Sequence, residues 1–343
     1  MGLEPNIQSA ARRIVARRVV QALGAGLAVV LTAGAHQAQA SEGGASLYLL
    51  GTGGPGNAIM PPLKGVFFDN QVYYYKGSGS GDKQFPIGGK VVTGLDAKIL
   101  ADFATVLWVP TTDLGGVTVA LGAALPVGEP DVDVNLVLTG PRGNEIGLSA
   151  SDSAVVIGDP IATAMMGWKT GNVHYQVSTM LNVPIGKYRK DELANLSFHR
   201  WAFDSSFAVS WHDPKSGWDV SGKAGLTLNG ENPYTDYKTG TEMHLEAAIE
   251  KTFSPQWSAG LQGYYFKQTS ADSGLGAKLG PFQGEASGVG ATAAYNFKIG
   301  HMPATLRARA FTEFNVTNRL EGDSFWLGLS VPLSLKMPTA PPT

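Results

Sequence analysis

Residues 241–251 read TEMHLEAAIEK, and the fold depends on whether they wind or extend. As a helix, Glu242, Glu246 and Glu250 fall four apart on one face, with Leu245 and Ile249 on another. As a strand, Met243, Leu245, Ala247 and Ile249 share one face, while Glu242, His244 and Glu246 share the other. The helix suggests a soluble protein. The strand lines a wall with carboxylates and an imidazole. The segment alone leaves both readings open.

Its neighbours decide. In 218–229, Val220, Ala224, Leu226 and Leu228 alternate with Asp219, Ser221, Lys223 and Thr227. In 173–184, Val173, Tyr175, Val177, Leu181 and Val183 oppose His174, Gln176, Ser178 and Asn182. In 304–316, Leu306, Ala308, Ala310, Phe314 and Val316 oppose Arg307, Arg309, Glu313 and Asn315. In 325–335 the apolar face is Phe325, Leu327, Leu329, Val331, Leu333 and Leu335, with Trp326 and Ser330 on the other. Sandwich strands also alternate, but are usually shorter than these membrane-length runs.

The connections sort by length. Short ones fall at 111–116, 169–172, 213–217, 254–256 and 300–303, and long ones at 77–89, 128–153, 186–200, 230–240 and 270–286. Outer-membrane barrels have short periplasmic turns and longer outside loops, and a sandwich has no reason for such sorting. About twelve strands fit between 65 and 335, and single-chain bacterial barrels need an even number. A helix at 241–251 would leave that number odd. The segment is therefore a strand, with its apolar face toward lipid and Glu242, His244 and Glu246 toward the lumen. Strands in hydrocarbon satisfy their backbone only by closing. The expected fold is all-β: a closed antiparallel transmembrane β-barrel of about 12 strands. The Trp residues sit near strand ends, as an interfacial girdle would place them. The register turns Trp201, Trp211, Trp218 and Trp257 outward, and Trp108 and Trp326 inward.

Composition agrees. Gly is 44 of 343 residues and charged residues are only 16 %, as in turn-rich all-β chains. Residues 1–40 read as a secretory signal peptide, with Arg12, Arg13, Arg17 and Arg18 before an apolar run and Ala38-Gln39-Ala40 before the cut. The arginine pairs lack the residue order of twin-arginine export. Cleavage takes four of 26 basic and one of 28 acidic residues, leaving a net charge of about −5 and no basic stripe for nucleic acid. With Cys 0, disulfides and thiolate metal sites are excluded. Residues 41–64 form a periplasmic or lumenal lead-in, and 336–343 a Pro-rich tail.

Gly51-Thr52-Gly53-Gly54-Pro55-Gly56 matches G-x-G-x-x-G, but Pro61 and Pro62 follow where a dinucleotide site needs a helix. A flexible periplasmic lead-in fits the stretch better. Glu242, His244 and Glu246 share one face and suit a zinc-like ion, but also a hydrated lumen wall paired with Arg307 and Arg309. His174 with a Ser and an Asp could form a hydrolytic triad, yet no local motif singles out a nucleophile. Lumen-facing residues expected to line a solute path are Glu242, His244, Glu246, Arg307, Arg309, Asp219, Lys223 and His174; no catalytic, metal or cofactor residues are assigned.

PPLKGVFFDNQVYYY (61–75), GDPIATAMMGW (158–168), VPIGKY (183–188), NPYTDYKTGTEMHLEAAIEK (232–251), GLQGYYFKQ (260–268) and EGDSFWLGLSVPL (321–333) resemble the family "MetA-pathway of phenol degradation". The likeness spans nearly the whole mature chain. It implies an outer-membrane barrel carrying a hydrophobic or aromatic small molecule, without chemistry on it. One departure is the tail after Leu335, where barrels commonly end on an aromatic residue.

The expected function is a passive channel in the outer membrane of a Gram-negative bacterium. A lipid-hydrolase-like barrel and a sealed structural barrel are the alternatives. Expected partners are outer-membrane lipids and lipopolysaccharide, the barrel-assembly machinery and a small-molecule solute, with no nucleic acid and no cofactor.

Overall fold

The computed structural model describes residues 42–87, 90–139, 145–277 and 283–336. The signal-peptide reading of 1–40 and the tail after Lys336 lie outside them. Twelve long strands form the wall: β1 Lys64–Ile87, β2 Lys90–Thr111, β3 Thr118–Thr139, β4 Ile161–Thr170, β5 Val173–Asn182, β6 Ala202–Asp213, β7 Trp218–Asn229, β8 Glu242–Thr252, β9 Trp257–Gln268, β10 Glu285–Ile299, β11 Met302–Thr317 and β12 Glu321–Lys336. Each pairs antiparallel with its sequence neighbours, and β1 pairs with β12 from Lys64↔Lys336 to Ser78↔Glu321. The sheet closes on itself, which removes every edge that hydrocarbon would leave unpaired.

TEMHLEAAIEK is strand β8. Glu242, His244, Glu246, Ala248 and Glu250 are buried, and Leu245, Ala247 and Ile249 are exposed. In a barrel the outward positions are the exposed ones, because lipid replaces water around them. The same parity runs through β7, where Asp219 and Ser221 are buried and Val220 is exposed. The outer surface is thus an apolar band. At the short-turn end it carries Trp108, Trp211, Trp218 and Trp257, all exposed, in the manner of an interfacial girdle. At the other end the outward rows turn charged with Lys98 and Asp131, whose charged atoms stand 3.9 Å apart.

Three local expectations need correction. Trp108 faces outward, beside outward Val106. The inner half of β2 is apolar on both faces, with Phe103, Leu107 and Val109 inside, so alternation gave no sign of its parity. Val316 is buried instead of facing lipid, because Asn315 takes φ 52° and the β10–β11 register slips there. Asn tolerates that left-handed backbone, and a bulge exchanges the faces. The connections at 77–89 and 128–153 are largely strand. β1 and β2 run on to Ile87 and Lys90, and β3 continues to pair with a further strand, Glu145–Ser153. These sheets extend past the charged belt, so length in residues did not mean loop. The turn between β11 and β12, residues 318–320, is also short although it lies at the long-loop end.

Candidate functional site: a two-sided lumen

Residues 42–60 do not hang below the barrel; they are threaded through it. At the long-loop end, Ser46 Oγ donates to Glu242 Oε1 at 2.8 Å. At mid-height Gly51 is clasped from both sides: its N–H donates to Glu246 at 2.9 Å, and its carbonyl accepts from Arg309 at 2.8 Å and Gln262 at 2.9 Å. Gly53 N–H donates to the other Glu246 oxygen at 2.9 Å. Lower down, Gly56 N–H reaches Asp219 at 3.0 Å and Ala58 N–H reaches Ser210 at 3.1 Å. The glycine-rich stretch is therefore fixed within the lumen, not a flexible periplasmic lead-in. Its backbone supplies the donors that the acidic wall requires.

Between these anchors, Tyr48 stacks on His244 with ring centroids 3.4 Å apart, and Lys223 Nζ lies 4.8 Å from the centroid of the Tyr48 ring. His244 Nε2 is 2.9 Å from Asp204, which also accepts from Ser206 and Thr227. Of the eight residues singled out in sequence, Glu242, His244, Glu246, Lys223, Asp219 and Arg309 are brought together around this segment. Arg307 instead forms a two-pronged pair with Glu250, the second contact at 3.1 Å. His174 sits on β5, opposite Ser210 in the β5–β6 register.

This polar wall is β6 to β9, with Arg309 of β11. The facing wall differs. Inward residues of β2 and β3 are Phe103, Thr105 and Leu107 against Pro126, Ala124 and Gly122, and β4 adds Ile161, Thr163 and Met165. Most are only partly buried, so space remains along them. Near the outer end this apolar strip widens into a partly enclosed cavity of about 100 Å³. Leu95, Ala97, Pro130 and Val132 form its barrel side, and Leu193, Phe198 and Leu320 close it from the loops.

The loop 183–201 is folded inward to make that lid. Buried Asp159 holds it by accepting from Gly186 N–H at 2.9 Å, Ser197 Oγ at 2.7 Å and Phe198 N–H at 2.8 Å. Asp152 holds it by a bidentate pair with Arg189, both contacts at 3.0 Å, and by accepting from Ala194 N–H at 2.8 Å. Sequence reasoning missed this wall and lid. The available signal was VTVALGAALPVG (117–128), a run apolar on both faces, which a hydrated lumen would not require.

A family model described as "MetA-pathway of phenol degradation" matches residues 80–329, most of the barrel. The chain belongs to this family. Among solved structures, the COG4313 outer membrane channel from Pseudomonas putida F1 aligns with a TM-score of 0.64 at 16% identity, covering 81% of this chain and 98% of that one. That likeness shows the shared fold. The CymD monoaromatic hydrocarbon channel, at 7% identity, covers 80% of this chain and 89% of its own with a TM-score of 0.40, too low to carry an argument. Comparison with curated proteins found no match. This member of the phenol-degradation family is a closed transmembrane β-barrel.

Proposed function

We propose that the chain is a passive outer-membrane channel that admits small apolar, aromatic molecules. The observation that carries this reading is the apolar strip inside the barrel, running from the outer cavity down β2, β3 and β4. Barrel interiors are ordinarily polar, and an apolar inner face costs stability unless something apolar uses it. The family's association with phenol degradation points to the same solute class. The charged residues of the opposite wall serve to seat residues 46–58, which narrow the lumen and leave the apolar side as the route. Lipopolysaccharide and outer-membrane lipids would surround the apolar band, and barrel-assembly machinery would insert it.

A hydrolase is the weaker reading. Ser206 donates to Asp204 at 2.7 Å, so the carboxylate lies between serine and imidazole, whereas nucleophile activation needs the imidazole in the middle. Tyr48 also covers His244. The test is uptake of radiolabelled toluene by cells lacking their own apolar-solute channels. Expression of the protein should speed uptake, and Val132→Trp, which fills the cavity, should return it to background. Equal uptake with and without the protein would remove the transport reading.

A further inference from the structure

The outer cavity is lined by polar side chains as well as apolar ones, Arg200, Glu42 and Glu192 among them. Arg200 precedes β6 and is buried to 2 % exposure. Its Nε donates to Asn229 at 3.2 Å, and its Nη1 stands 3.6 Å from Glu42, a loose ion pair. Its Nη2 is buried without an acceptor among the described residues, and Arg200 is part of the cavity lining. A guanidinium has five donors and no acceptor, and a buried donor left unmatched costs free energy. Arg200 is also held in place by Phe198, whose ring centroid lies 4.9 Å from the guanidinium carbon.

Resting on the transport reading above, we propose that this cavity is a binding site for an aromatic monocarboxylate. The ring lies among Leu95, Ala97, Val132 and Leu193, and the carboxylate accepts from Arg200 Nη2. An apolar void of about 150 Å³ holds benzene; this cavity, at about 100 Å³, is smaller, so the ring enters as the lining yields. Its partly buried lining residues Leu193 and Leu320 leave room for adjustment. Glu42 is the natural competitor, since its carboxylate is the anion now nearest Arg200. The pair is open at 3.6 Å, and burial holds the Glu42 carboxyl above the usual carboxylate range despite the pull of Arg200. A solute carboxylate that takes Arg200 therefore also loosens the start of the lumenal segment.

The experiment is equilibrium binding of labelled benzoate and of labelled toluene to the purified full-length protein in detergent. Wild type should bind benzoate at least about tenfold more tightly than toluene, the scale of one charge-assisted hydrogen bond. Arg200→Met should erase that preference and keep toluene binding. Glu42→Gln should tighten benzoate, an effect opposite in sign to any loss of folding. Toluene binding without a benzoate preference in wild type, or a preference that survives Arg200→Met, would overturn the proposal while leaving the channel reading intact. Binding of neither molecule would overturn both. If Arg200→Met fails to fold, an unchanged benzoate affinity in Glu42→Gln is by itself contrary to the proposal.

Discussion

Gly51 shows how much rests on a single position. It takes φ 89°, and a Cβ there would stand 2.7 Å from the Phe311 ring. Left-handed backbone costs an ordinary residue about 1–3 kcal/mol, so Gly51→Ala should unseat the segment without harming the wall. Glu246 is the complementary test. Glutamine offers one acceptor oxygen where two backbone N–H groups now donate to two. Losing one such bond costs about 1–3 kcal/mol. Amide hydrogen exchange at Gly51 or Gly53 should therefore speed by about tenfold or more in Glu246→Gln, and rates equal to wild type would show that the clasp is not holding. Asp272, in the loop after β9, supplies a pH dependence. Burial pushes its carboxyl up to about 7, against the pull of hydrogen bonds from Tyr237, Gly240 and Gln268, with Glu242 adding to the rise. Because the folded-state value lies above the ordinary 3.8, the contribution is full below 3.8 and is lost as pH rises through about 7. Proteolysis between residues 230 and 277 should quicken from pH 6 to pH 8, and Asp272→Asn should flatten that profile.

At the level of elements, β8 was legible because each of its faces has one character. Leu245→Arg should cost about 2–4 kcal/mol if it lies near the bilayer midplane, read by urea unfolding in lipid vesicles, while Glu246→Gln should leave the global unfolding midpoint near wild type. The reverse result would mean a register wrong by one residue. β2 and β3 were not legible in the same way. Apolar residues on both faces hide parity, and the apolar inner face is what the channel reading depends on. The bulge at Asn315 was hidden for another reason: a single left-handed residue leaves no trace in a period-two pattern. The lid over the cavity was illegible because its anchors, Asp152 and Asp159, act across about forty residues of sequence on backbone N–H groups. Sidedness follows from loop length, so a tag after Leu193 should label on intact cells and one within 213–217 should not.

For the whole molecule, closure and polarity divide the labour. The closed sheet satisfies the backbone in hydrocarbon, the acidic wall seats a chain segment, and the opposite wall stays apolar and partly open. Strand number, closure and the charged inner face of β8 were all readable from alternation and loop sorting. The occupancy of the lumen was not, because no local pattern says that a glycine-rich lead-in will find carboxylates some two hundred residues away. The most direct test of the account is to obstruct the apolar side alone. Ala124 faces inward on β3, opposite Thr105 of β2 and Ile161 of β4. With Ala124→Trp folded and inserted at wild-type levels, toluene uptake by whole cells should fall to background while amide exchange at Gly51 stays slow. Uptake at the wild-type rate through that variant would contradict the route, and with it the claim that the apolar wall is what this barrel is built to provide.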